Sequence, residues 1–264
     1  MALNLDAIRK KLNQLNGQGK SKVSMWKPEE NTESTVRLIS FQDNDGQPFK
    51  ERYFYYGIGK QRGLLAPNQF GKPDPIQELI NKLREEGSKE SYDLAKKLYP
   101  SMRVYAAVIV RGEEDKGVQI WSFGKKVYTS LINFILDEDY GDITDPFTGR
   151  DIRVTSTKVP GKTYADTDVR VRGKETKLAE SDDQMKKWLD NIPDVDEMFQ
   201  LKSYDELESI INSWLNGDDE EDANTSSLGT SRGQVSSTSQ VQSSSPEVAQ
   251  TFTSLDDAFA ELES

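Results

Sequence analysis

Two residue types are missing from this 264-residue chain: cysteine and histidine. Without cysteine there is no disulfide and no thiolate metal site. Without histidine the commonest zinc ligand is gone, as is the usual general base near neutral pH. These absences exclude Ser-His-Asp and Cys-His catalysis and ordinary zinc-hydrolase chemistry, and the reading is that the chain is not an enzyme and takes no cofactor and no metal. Long apolar runs are also lacking, so no segment is expected to cross a bilayer. Arg9, Lys10 and Lys11 interrupt the region that a signal peptide would need apolar, which makes a soluble intracellular protein the expectation.

What is present is sorted by charge. Residues 1–27 hold six basic side chains and one acidic, whereas 216–264 hold one basic and ten acidic. Between them, residues 50–174 hold 22 basic and 18 acidic side chains, and 175–215 hold four and eleven. A basic arm, a folded middle and an acidic tail suit a protein that engages a polyanion.

Leu5, Ile8, Leu12 and Leu15 predict an amphipathic helix over residues 4–15. Strands are expected at 34–41, 49–58, 103–111, 118–123, 151–158 and 167–172, with 103–111 and 118–123 forming a hairpin. Helices are expected from Pro75 through Arg84, at 88–98 and at 126–136, and over 181–215 in two pieces broken at Pro193. Several short strands with helical inserts imply a mainly β protein built on a small barrel. From Asn216 to Gln250 the composition is that of a disordered segment. Phe252, Leu255, Phe259 and Leu262 then recur at helical spacing among Asp256, Asp257, Glu261 and Glu263, as in a recruitment peptide for a protein partner.

Basic and aromatic residues interleave in the middle: Lys50, Arg52, Tyr53, Tyr55, Lys60 and Arg62; Tyr92, Lys96, Lys97, Arg103 and Tyr105; Trp121, Lys125 and Lys126; Lys162, Tyr164, Arg170 and Arg172. Cations that follow a phosphate path and rings that stack on bases are what single-stranded nucleic acid requires. Strand alternation sends about half of such rings into a core instead. Phe123 reads as core, and the tyrosines and Trp121 as the better stacking candidates. Gly124-Lys125-Lys126 lacks the spacing of a phosphate loop.

The segment Val118-Gln119-Ile120-Trp121-Ser122-Phe123-Gly124-Lys125-Lys126-Val127, after the Tyr105 strand, resembles the core of the single-stranded DNA-binding (helix-destabilising) proteins of T4-like bacteriophages. The three-part charge plan and the ending Leu255–Leu262 resemble that family too. The resemblance implies a five-stranded OB-fold core at 28–215 and a self-association arm at 1–27 that uses Arg9, Lys10 and Lys11. The Ser and Thr that follow the family's basic run are absent here. It also implies an acidic tail at 216–264, which contacts replication and recombination proteins through Phe252, Leu255, Asp256, Asp257, Phe259 and Leu262 within 252–262. Carried over by position, Tyr92, Tyr105, Trp121 and Tyr164 face DNA, and Lys96, Lys97, Arg103, Lys125 and Lys126 line the basic groove, with Tyr53, Tyr55, Lys60 and Arg62 as further candidates. The implied role is cooperative, sequence-tolerant coating of single-stranded DNA in phage replication, recombination and repair, in the host cytoplasm. The best known member holds zinc with one His and three Cys. The matching stretch, Gly71 to Glu78, has neither, so the expectation is no zinc and a loop held by Ile76, Leu79, Ile80 and Leu83. An adaptor acting through the tail, a metal-dependent nuclease or hydrolase, and RNA as the ligand are the competing readings.

Overall fold

The computed structural model describes residues 23–60, 63–162 and 164–217. The arm helix, the arm residues Arg9, Lys10 and Lys11, Arg62 and the whole tail motif lie outside the described residues. Two compact units divide the chain: residues up to Arg52 with Met102–Gln200, and Tyr53–Ser101 with residues from Leu201 on.

The first unit is a sheet flanked by helices. Its strands are β1 (Met25–Trp26), β2 (Thr32–Ile39), β5 (Ser101–Val110), β6 (Gln119–Phe123), β7 (Arg150–Thr157) and β8 (Asp166–Glu175), hydrogen-bonded in the order β1-β6-β5-β2-β7-β8. All the pairings are antiparallel except β1 with β6. The expected hairpin is there, with Val104 opposite Phe123 and Ala106 opposite Trp121. The expected closed OB barrel is not. β1 pairs only with β6 and β8 only with β7, so among the described residues the sheet is open and the architecture is mixed α/β.

The reason is written in the end strands. β1 is two residues long, and β8 presents Asp168, Arg170, Arg172 and Lys174 to solvent, the kind of charged edge that discourages further pairing. In the centre, Val104 through Val110 of β5 are all buried, as befits a strand covered on both faces. One face packs Val36, Leu38, Ala106, Val108, Ile152 and Val154 against Val127 and Leu131 of α3 (Lys125–Leu136). On the other face lies a fully buried Arg37. Its Nη1 donates to Asp151 (3.3 Å) and Thr176 Oγ1 (2.9 Å), and Nη2 to the Asp145 and Thr176 carbonyls. Asp151 also pairs with Arg111 at 3.0 Å. Burial pulls the Arg37 guanidinium below its usual value, and Asp151 opposes that shift. This network ties the segment after β8 to the sheet and so fixes β7 and β8.

The second unit packs three helices over a short hairpin. β3 (Lys50–Tyr55) runs into it, and Phe54 and Tyr55 pair with Leu65 and Leu64 of β4 (Leu64–Leu65). α1 (Pro75–Glu86) and α2 (Lys89–Leu98) join α5 (Tyr204–Leu215) around Ile76, Leu79, Ile80, Leu83, Leu98, Leu207 and Ile211. Asp74 does more here than cap a helix. Its Oδ1 accepts from the backbone N–H groups of Ile76 (3.1 Å) and Gln77 (3.2 Å). Its Oδ2 accepts from the Tyr55 hydroxyl (2.8 Å) and the Asn68 N–H (3.4 Å). Tyr55 is fully buried, and burial beside this carboxylate drives its phenol pKa upward.

Candidate nucleic-acid interface

Among the described residues, four of the five α-helices start alike. α1, α2, α4 (Asp182–Asp190) and α5 each have a side-chain cap, from Asp74, Ser88, Ser181 and Ser203, and an acid in the first turn. Both features answer the partial positive charge and unpaired N–H groups of a helix N-terminus. α3 has neither. Its cap is Gly124, which offers no side-chain hydrogen bond, and its first two residues are Lys125 and Lys126. Cations there oppose the macrodipole, so three sources of positive potential meet at one exposed point, as at an anion site.

Neighbouring side chains add to it. Arg103, on β5, donates to Ser122 Oγ at 3.1 Å. Its guanidinium lies 3.9 Å from where a Cβ at Gly124 would stand. Lys126 Nζ is 2.7 Å from Asp166, and Lys162 is 3.8 Å from the same carboxylate. The hydrogen bond from Lys126 holds the Asp166 carboxyl below the usual carboxylate range, and the two ammonium charges act the same way. A partly exposed carboxylate is thus held between two lysines, the arrangement of an anion site. Tyr164, 80 % exposed, is two residues from Asp166. The first unit thus gathers Arg103, Lys125, Lys126 and Tyr164, together with Lys162 and Asp166, which sequence reasoning did not single out as a pair. Their signal, basic residues flanking an acid at a strand start, was too common to stand out.

The second unit holds Tyr92, Lys96 and Lys97 on α2. Tyr92 is 57 % exposed and one turn from Lys96, so the two share a solvent face. These lysines sit in the last turn, where cations favour the helix, and so the dipole supplies an ordinary reason for them. Tyr53 is at the surface and exchanges hydrogen bonds with Gln69. Lys60 is exposed in a bend.

Three expected stacking rings are placed in the interior instead. Trp121 is 1 % exposed, edge-on to Trp26 at 5.3 Å and 4.5 Å from Phe123. Tyr105 packs edge-on against Phe199 at 5.3 Å. Tyr55 serves the Asp74 network. The physical cause is that β5 and β6 are central strands. Ala107, Ile109 and Ile120, on the Tyr105 face, are fully buried, so neither face stays wet.

Among the described residues no group of three or more His, Cys, Asp or Glu is placed to hold a metal ion. The loop matching the family's zinc stretch does not fit the metal either, since it lacks Cys and His and both Asp74 oxygens are taken. No described helix is long and apolar enough to cross a membrane.

A comparison with individual curated proteins gave no match. A family model described as gp32 DNA binding protein like matches residues 30–214, which spans both units. DNA-binding function and phage replication and recombination go with that assignment, and catalysis does not. The chain therefore belongs to the gp32 DNA-binding-protein-like family, the single-stranded-DNA-binding phage proteins, as a member without cysteine or histidine ligands.

Proposed function

We propose that this protein coats single-stranded DNA contiguously and with little sequence preference during phage replication, recombination and repair, and melts weak secondary structure by binding the unpaired strand. The observation that carries this reading is the uncapped, lysine-bearing start of α3 beside Arg103, in a chain of this family. Lys125, Lys126, Arg103 and Lys162 take phosphates, and Tyr164 offers a ring to a base. Tyr92 with Lys96 and Lys97 form a second contact surface on α2, and Tyr53, Lys60 and Arg62 are further candidate contacts. Binding the single strand but not the duplex shifts the melting equilibrium toward the single strand. In this reading residues 1–27, with Arg9, Lys10 and Lys11, join neighbouring copies. The 252–262 motif recruits other replication proteins.

The test is titration of poly(dT) and a matched duplex at two salt concentrations, with wild type and Tyr164→Ala. The single strand is expected to bind tightly and with strong salt dependence, and the duplex weakly. Losing one stacked ring costs about 1–3 kcal/mol, so Tyr164→Ala weakens binding by roughly 5- to 150-fold. Tryptophan emission changes little, because Trp26, Trp121 and Trp188 are buried and Trp214 is half-buried against the core of the second unit. Equal affinity for single strand and duplex would refute the reading and leave the tail-centred adaptor in its place.

A further inference from the structure

β8 continues away from the α3 site as a charged track. Asp166, at its start, is the carboxylate between Lys126 and Lys162. Asp168 and Arg170 follow at every second position and so share its face, and the exposed Arg172 and Lys174 continue the charge where the pairing with β7 becomes irregular. The sign changes along the strand, from acids near the α3 site to bases beyond it. Across the sheet Arg153 of β7 stands directly opposite Arg170, an arrangement that is unfavourable between like charges. Edge protection accounts for charge on β8, but it does not call for a guanidinium facing a guanidinium.

Each of the two has one carboxylate nearby: Glu33 is 3.1 Å from Arg153, and Asp168 is 3.5 Å from Arg170. Both pairs are open to solvent, Arg170 at 79 % and Arg153 at 44 %, and such pairs are weak and readily exchanged. Arg172 is exposed and has no carboxylate partner among the described residues. Guanidinium groups grip phosphate through two parallel N–H donors, as they do a carboxylate, so a diester can displace a weakly held surface acid.

The geometry points to a second phosphodiester-binding surface on the outward face of the β7–β8 hairpin, made by Arg153, Arg170 and Arg172. It takes the strand of DNA that leaves the α3 site. Arg170 lies four residue steps beyond Asp166, about 13 Å of extended chain, so only a DNA longer than the α3 contact reaches it. This rests on the single-strand-binding reading and adds to it a direction of travel and a length requirement.

The test uses the full chain with both Arg170 and Arg172 changed to Gln, and separately to Lys, with labelled oligo(dT) of increasing length in a salt series. On long oligonucleotides the Gln variant is expected to flatten the slope of log K against log salt by about 1.4, or 0.7 for each phosphate no longer neutralised. The shortest oligonucleotides that bind are expected to show no change, and the Lys variant to recover most of the slope. A wild-type slope at every length overturns the surface, leaving these arginines to guard the edge. An equal loss at every length overturns the extension, placing them in the first site. If wild type itself fails to bind oligo(dT), it is the single-strand reading that has failed. A normal melting curve for each variant shows that its fold is intact.

Discussion

Replacing Lys125 with Glu should make the protein more stable and a poorer DNA binder at once. Lys125 is the first residue of α3, exposed, and without a carboxylate partner among the described residues. Removing a cation from the positive end of a helix and placing an anion there each contribute about 0.3–1 kcal/mol, so the swap stabilises by about 0.6–2 kcal/mol. In a domain of this size that raises the melting temperature by a few degrees. The same change removes one cation from the phosphate path and adds repulsion, so affinity for oligo(dT) falls and the salt slope flattens by about 0.7. Lys125→Gln should give about half the stability gain. The assay is thermal unfolding by circular dichroism beside an oligo(dT) salt series on the same preparations. Opposite signs in the two measurements are what a residue retained for ligand rather than for fold must show. A lower melting temperature, or unchanged DNA affinity, refutes the reasoning.

Two further outcomes concern the carboxylates. Asp74→Ala removes a helix cap, about 1 kcal/mol, and leaves the buried Tyr55 hydroxyl without its acceptor, about 1–3 kcal/mol more. A loss of about 2–4 kcal/mol in chemical denaturation is expected, with Tyr55→Phe costing less and the pair showing coupling in a double-mutant cycle. Additive effects would show that the two groups do not act together. Asp166→Asn frees Lys126 and Lys162 for phosphate, so affinity for oligo(dT) should rise a few-fold at low salt and converge with wild type at high salt. Because the Asp166 carboxyl is held below its unfolded value, its pairing with the lysines is complete above about pH 4 and lost only as pH falls through that lowered value. Wild-type binding should therefore be flat from about pH 5 upward as far as this group is concerned, and a weaker Asp166→Asn would refute the competition.

Local patterns carried most of the element structure. Pro75 at a helix start, the apolar run of β5 and the break at Pro193 each name a boundary without tertiary information, and the structure places elements at Pro75–Glu86, Ser101–Val110, Asp182–Asp190 and Tyr204–Leu215. Closure of the sheet was another matter. It depends on whether β1 and β8 meet, and the barrel expected from resemblance is overturned by a two-residue β1 and a charged β8. The alternate charges from Asp166 to Arg172 carry the mark of an edge, but Arg170 and Arg172 were read in the sequence only as part of a basic cluster. The candidate site divided the same way. Lys125 and Lys126 are adjacent and follow a glycine, so their helix-start position was legible. Whether Trp121 and Tyr105 face water is set by Trp26 and Phe199, partners distant in sequence, and alternation within one strand says nothing of what covers it.

The four donors gathered on Asp74 are all supplied by the chain itself, and the whole sequence offers neither thiol nor imidazole. That joint therefore needs no group from outside the chain. Chelators and thiol oxidants have no handle on it, and its integrity rests on the Tyr55 hydroxyl and three backbone N–H groups alone.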